Sequence, residues 1–149
     1  MPGLLETARA HFDAERWAYD AAKDAPVLKL GFEGKHGRWR CYFEAKEEVQ
    51  QAVFFSLLEG AVPAERRAAV AELCSRINCR LNVGNFELNF NDGVARFRTG
   101  VDVEGVGLSP ALLKGLTLLN VATMDKYLPA LQAVVQGELP LKALGLASD

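Results

Sequence analysis

The chain has 149 residues, of which 50% are hydrophobic and 24% charged, a composition that suits one folded domain and excludes disorder as its main state. Seventeen lysines and arginines stand against nineteen aspartates and glutamates, which excludes a strongly basic, dedicated DNA binder. We expect a single domain over residues 1–149, with a core that needs neither disulfides nor metal. No signal-peptide pattern and no membrane-spanning apolar run are present, so we expect a cytoplasmic protein.

The first part of the chain predicts one helix followed by a hairpin. Apolar residues recur at helical spacing over residues 4–14. From residue 28 the period changes to two, which predicts a strand over residues 28–32. Glycines at both ends of residues 34–37 supply a turn, and residues 38–43 alternate again as the return strand.

A third strand is predicted over residues 49–58, where the sequence is apolar on both sides. Strand alternation sends Phe54 and Phe55 in opposite directions. We place Phe55 against the helices, because its side of the strand is the more apolar. The opposite side is then expected to form a partner or dimer surface, made of Ala52, Phe54, Ser56 and Leu58. A helix is the competing interpretation of this short apolar run.

The second part predicts a helix, a hairpin and a final helix. Pro63 suits the start of a central helix that continues through Arg80. Asn91-Asp92-Gly93 is the strongest hairpin signal in the chain, and Ser109-Pro110 is typical of a helix start. Pro129 is expected to kink or divide that last helix, because proline lacks a backbone N–H. The predicted order is α-β-β-β-α-β-β-α, an α+β fold with a five-stranded antiparallel sheet covered by helices.

No motif for catalysis, cofactor binding or metal binding is recognisable. The three cysteines, Cys41, Cys74 and Cys79, lack the spacing of a zinc site or a disulfide framework, so we expect reduced packing residues. His36 lies in a glycine turn and is expected to be an exposed loop residue. We therefore predict a protein that is not an enzyme and that has no catalytic residues, no cofactor and no metal.

Arginines on two strands suggest an alternative function in nucleic-acid binding. The candidate phosphate contacts are Arg38, Arg40, Arg96 and Arg98. Alternation places Trp39 and Phe97 on the face opposite these arginines, which leaves Tyr42 as the one candidate stacking platform. We favour the simpler interpretation that Arg96 or Arg98 pairs with Glu87 across the hairpin.

Two segments resemble a known family. Residues 77–89, followed by Asp92-Gly93 and by residues 96–98, resemble the core signature of the bacterial YbjN-like family. Residues 120–129, followed by residues 134–137, resemble that family's C-terminal helix in order and spacing. The resemblance covers about residues 15–140, and its motifs are not catalytic signatures.

The resemblance implies a fold similar to that of type III secretion chaperones. Members of the family are described as sensory-transduction or regulatory proteins, and the fold relatives work as dimers that hold a segment of another protein. We therefore expect a non-enzymatic, chaperone-like or regulatory protein-binding module. It would act as a homodimer and capture a segment of an unidentified client protein, through an apolar surface or an unpaired strand edge. A nucleic-acid-associated regulator is the alternative, and no membrane is expected as a partner.

Overall fold

The computed structural model describes residues 2–147. Its α-helices are α1 (Leu4–Ala14), α2 (Arg67–Asn78), α3 (Pro110–Val135) and α4 (Pro140–Ala143), with short 3₁₀ turns at Ala64–Arg66 and Leu144–Ala147. Its strands are β1 (Tyr19–Ala21), β2 (Val27–Glu33), β3 (Arg38–Lys46), β4 (Gln51–Leu57), β5 (Asn85–Leu88) and β6 (Ala95–Asp102). The α+β class and the order of the long elements are confirmed. The count of five strands is wrong, because β1 has only three residues and gives too short a pattern to recognise.

The six strands form one antiparallel sheet in the order β1-β2-β3-β4-β6-β5. The predicted hairpin between β5 and β6 is confirmed. Its turn is fixed by Asp92, whose carboxylate accepts the Val94 N–H at 2.9 Å, and by Gly93, which has a φ of +78°. A Cβ at Gly93 would lie 2.6 Å from the Val62 carbonyl oxygen, so only glycine fits there.

The helices pack on one face of the sheet, which we call the inner face. α1 lies against β3, and α3 crosses β4 and β6. The buried side chains shared by the inner face and these helices include Phe12, Leu28, Phe43, Phe54, Phe97, Leu113, Met124 and Leu131. Within residues 2–147 no helix covers the opposite, outer face, so its side chains are shielded only by one another.

β4 begins two residues later than predicted, and its faces are the reverse of those predicted. Val49 lies in the preceding turn and is 50% exposed, and Gln50 ends that turn with a φ of +55°. Phe54, 0% exposed, pairs with the core residue Phe43 and lies under the helices. Phe55 lies on the outer face instead. The prediction failed because both sides of this strand are apolar, so composition does not reveal which side the helices cover.

α3 runs through Pro129 as one continuous helix, so the predicted division at this proline is wrong. Proline removes the N–H that would bond the carbonyl oxygen of Asp125. His36 replaces that hydrogen bond, because its ring Nδ1 lies 3.0 Å from the Asp125 carbonyl oxygen. Since a carbonyl oxygen only accepts, Nδ1 carries the hydrogen in this contact. A side chain from the turn between β2 and β3 thus supplies the hydrogen bond that the Asp125 carbonyl oxygen would otherwise lack.

α2 is shorter than the predicted central helix and ends at Asn78, beside the outer edge of β5. The Asn78 amide donates to the Phe86 carbonyl oxygen at 3.0 Å, and its oxygen accepts the Phe86 N–H at 2.8 Å. One side chain therefore makes the pair of bonds that a neighbouring strand would otherwise make with Phe86. This edge of the sheet is closed by α2.

Candidate functional site

The surface predicted on β4 and the residue after it does not exist in the folded chain. Ala52, Phe54 and Ser56 are 0% exposed, and Leu58 is 7% exposed. They face α3. The small side chains of Ala52 and Ser56 leave room for this helix to approach the sheet. The assignment of these residues to a partner or dimer surface is therefore wrong.

Ser56 belongs to a buried polar network that ties α3 to the sheet. The Trp39 indole donates to the Ser56 hydroxyl at 2.8 Å, and that hydroxyl donates to Asn120 Oδ1 at 2.6 Å. The Asn120 amide nitrogen donates to the carbonyl oxygens of Phe54 and Phe97 at 3.0 and 3.2 Å. No imidazole or carboxylate contacts Ser56 among the described residues, so its hydroxyl has a structural role.

Two of the three cysteines are buried, whereas the third and His36 are exposed. Burial raises the pKa of both Cys41 and Cys74 to about 12, so both remain protonated thiols at neutral pH. Cys79 is exposed, which contradicts its expected packing role. His36 is an exposed turn residue, as predicted. Within the described part of the chain, no group of three or more histidine, cysteine or acidic side chains is placed to hold a metal ion.

The turn between β2 and β3 docks on α3 through Asp125. The Asp125 carboxylate accepts the backbone N–H groups of Lys35 and His36 at 2.9 and 2.8 Å. A Cβ at Gly34 would lie 2.6 Å from an Asp125 carboxylate oxygen, so the close approach requires glycine. This contact joins the tip of the hairpin to the helix layer, and it explains the motif residue Asp125 in packing terms.

The four predicted phosphate contacts all lie on the outer face, as alternation predicted. Three of them are paired with carboxylates: Arg38 with Glu33 at 3.0 Å, and both Arg96 and Arg98 with Glu87 at 2.6 and 2.9 Å. The expected pairing across the hairpin is thereby confirmed for both arginines. Arg40 is exposed and forms no ion pair within residues 2–147.

Phe55 is the centre of this outer face. The guanidinium carbons of Arg96 and Arg98 lie 4.2 and 5.1 Å from the centroid of its ring. Both arginines therefore make cation–π contacts with Phe55 while sharing the Glu87 carboxylate. Phe55 is only 7% exposed, so its ring offers little surface on which a nucleobase could stack, and the predicted platform Tyr42 beside it is half-buried.

The sheet has an open edge where β2 extends beyond the short β1. The pairing with β1 begins at Leu30, opposite Tyr19. Val27 and Gly31 direct their carbonyl groups to the β1 side, where they accept from the Ala22 N–H at 2.9 Å and from the Trp17 indole at 2.8 Å. Because backbone groups alternate between the two sides of a strand, the N–H of Gly31 faces the chain at Ala18, next to the Tyr19–Leu30 pair, and the N–H of Glu33 points to the open side.

A cavity of about 360 Å³ lies beside the open edge. Its wall combines the ends of α1, β2 and α3, and includes Trp17, Gly31, Phe32, Glu33, Lys114 and Leu118. The predicted strand over residues 28–32 includes Gly31 and Phe32, but Trp17 and β1 were not predicted as part of the sheet. Trp17, Tyr19 and Ala21 alternate with polar or small residues, a weak strand signal that three positions are too few to establish.

The six-stranded sheet with helices on one face defines a class of α+β protein that includes solved structures. The chain is similar to the crystal structure of YbjN, "a putative transcription regulator" from E. coli, with a TM-score of 0.63 and 12% identity over 83% of this chain and 86% of the other. It is also similar to the structure of the HopA1-SchA chaperone-effector complex, with a TM-score of 0.54 and 12% identity over 89% and 92% of the two chains. These likenesses establish a shared fold.

The family follows from the sequence itself. Residues 5–133 match the model of the YbjN family, described as "Putative bacterial sensory transduction regulator". The chain belongs to the YbjN family, as its two motifs indicated. No curated protein sequence matches it. None of its helices within residues 2–147 is long and apolar enough to cross a membrane.

Proposed function

We propose that the chain is a non-enzymatic, chaperone-like or regulatory protein-binding module that captures an extended segment of a partner protein at the open edge of β2. The observation that carries this proposal is the outward N–H of Glu33 beyond the end of the β1 pairing, next to a cavity whose wall includes Trp17, Phe32 and Leu118. Unpaired main-chain groups of a strand are complementary to the main chain of an extended peptide. The family description and the fold shared with a chaperone in a chaperone-effector complex support this class of function.

The edge and the cavity have separate tasks in this mechanism. A bound segment would continue the line of β1 and pair with the outward backbone groups of Glu33, which supplies affinity without regard to sequence. One of its alternate side chains would enter the cavity beside Trp17, Phe32 and Leu118, which favours an apolar or aromatic residue there. No cofactor is needed for such binding.

Substitutions at Glu33 separate main-chain pairing from charge. Glu33→Pro removes one outward N–H, whereas Glu33→Ala keeps it, and both remove the carboxylate. Proline is tolerated at this place because the missing N–H points away from β3. The probe is an array of synthetic peptides of about 12 residues, long enough to form a full strand, with alternating or helical apolar patterns.

We expect alternating peptides to bind the unmodified chain and Glu33→Ala alike. Glu33→Pro should bind them at least about tenfold more weakly, because it lacks a main-chain partner. N-methylation of alternate peptide amides should weaken binding similarly, and Leu118→Ser should weaken binding of the aromatic peptides most. Equal binding by the two Glu33 variants, both shown to be folded by circular dichroism, would contradict capture at this edge.

We also propose that the module works as a homodimer, in keeping with the preference of soluble oligomers for twofold symmetry. Light scattering after size exclusion at micromolar concentration should then give about twice the chain mass of 16.3 kDa. A mass near that of one chain across this concentration range would refute the dimer, and would leave the capture of a segment by one chain intact.

A further inference from the structure

The outer face of the sheet carries a second candidate site, away from the helices. Two adjacent rows of side chains run across the strands. In the first row Lys29 pairs with Tyr42, Tyr42 with Phe55, and Phe55 with Arg98. In the second row Gly31 pairs with Arg40, and Leu57 pairs with Arg96. We call this surface the arginine face. It consists of the side chains of Lys29, Arg40, Tyr42, Phe55, Arg96 and Arg98.

The arginine face is cationic although the whole chain has a formal net charge of -2. Its four cations share these two rows with two carboxylates, Asp20 opposite Lys29 and Glu87 opposite Arg96. The acids of the neighbouring rows have cations of their own: Glu33 lies 3.0 Å from Arg38, and Glu44 lies 3.5 Å from Lys46. Positive charge is therefore concentrated at the middle of the outer face.

The contacts of Glu87 show that this face binds a carboxylate. Its Oε1 accepts hydrogen bonds from Arg96 Nε at 2.6 Å, Arg98 Nε at 3.1 Å and Arg98 Nη2 at 2.9 Å. Both guanidinium groups are held in place by their contacts with the Phe55 ring. A carboxylate is thus bound by two pre-positioned arginines, each of which is still more than one third exposed.

We infer that the arginine face binds an extended acidic polypeptide segment, and that Glu87 competes with that segment for Arg96 and Arg98. The spacing supports this ligand. Arg96 and Arg98 are two residues apart on β6, about 7 Å, which is also the distance between alternate side chains of an extended peptide. Stacking of nucleobases is disfavoured, because the two guanidinium groups already cover the Phe55 ring. This inference stands independently of capture at the β2 edge.

The test uses three labelled probes and fluorescence anisotropy. The first is a peptide of about 12 residues in which glutamate alternates with alanine, so that its carboxylates repeat at about 7 Å when extended. The second has the same composition with the glutamates in adjacent pairs. The third is a single-stranded oligothymidine of similar length. Titrations at about 20 and about 200 mM salt measure the electrostatic share, since screening shortens over that range.

We expect the alternating peptide to bind more tightly than the paired peptide and the oligothymidine, and to weaken at the higher salt. Glu87→Gln keeps the size of the side chain and removes the competing charge, so it should tighten binding about threefold or more. Arg98→Gln should weaken it about fivefold or more, since hydrogen bonds to charged groups are the strong ones. Arg40→Gln removes an exposed side chain, so it tests the site without disturbing the fold.

Arg38→Gln is the matched control. Arg38 is also an outer-face arginine, but it lies at the hairpin end, paired with Glu33, and its side chain is 82% exposed. It should change the affinity by less than about twofold, as expected for an exposed pair. The inference is overturned if Arg40→Gln and Arg98→Gln both leave the affinity unchanged, if Glu87→Gln weakens binding, or if oligothymidine binds more tightly than the acidic peptide.

Discussion

Phe54 and Phe55 are consecutive residues of β4, and they are buried in two different ways. Phe54 packs among apolar side chains between the sheet and the helices. Phe55 is almost as inaccessible, yet no helix of the described chain lies over it, and its cover consists of two arginines. Low exposure therefore does not identify the core of this protein. The polarity of the groups that provide the cover distinguishes its core from its outer surface.

The largest expected effect separates these two kinds of burial. Phe54→Ala should lower the free energy of unfolding by about 3–5 kcal/mol, because it removes apolar burial and leaves a cavity in the packed layer. Phe55→Ala should lower it by only about 1–2 kcal/mol, since its cover consists of partly exposed arginine side chains and not of a packed apolar layer. Urea unfolding of both variants, followed by circular dichroism, measures the difference. Equal losses would show that the two faces are energetically alike.

An intermediate effect is expected where the hairpin tip meets the helix layer. Asp125→Ala removes the acceptor for two backbone N–H groups, so it should cost about 1–2 kcal/mol and speed hydrogen exchange at Lys35 and His36. Exchange of amides in the middle of β4 should change much less. Lys35→Ala, which keeps its backbone N–H, is the control. Unchanged exchange at both tip amides in Asp125→Ala would contradict the docking contact.

The smallest effect at neutral pH concerns the thiols, whose burial changes the stability only at high pH. The pKa of Cys41 and Cys74 is about 12 in the folded chain and about 8.5 when a thiol is unfolded. Their contribution to stability is therefore complete below about pH 8 and declines as the pH rises toward 12. At pH 8 a thiol reagent should label Cys79 rapidly and the other two only after urea is added. Rapid labelling of two thiols in the native chain would refute this burial.

The elements that the sequence predicted well are those with a local chemical signature. Ser109 accepts the Leu112 N–H at 3.1 Å at the start of α3, and the turn after β5 has the glycine that its backbone requires. The failures depend on long-range contacts. The sequence around Pro129 does not indicate that His36, 93 residues earlier in the chain, bonds the Asp125 carbonyl oxygen that the proline leaves without a donor. A sequence local to β4 likewise cannot show which face α3 covers.

The candidate sites were predictable in unequal measure. Alternation placed all four arginines on one face, and cross-strand pairing predicted the partner of Arg96 and Arg98. The open edge at Glu33 depends instead on where β1 begins. That end follows from the position of Trp17, whose indole occupies the Gly31 carbonyl, a tertiary contact with no local motif.

The side chain of Asn78 has a consequence for how copies of this protein can join. Because it occupies the backbone groups of Phe86, the β5 edge offers no free partner there to an incoming strand. A filament that grows by joining the β1–β2 side of one molecule to the β5 edge of the next would have to displace the Asn78 side chain at every step. Association through strands is therefore favoured at the β1–β2 side of the sheet, where two copies can meet in a contact that closes on itself after one pair.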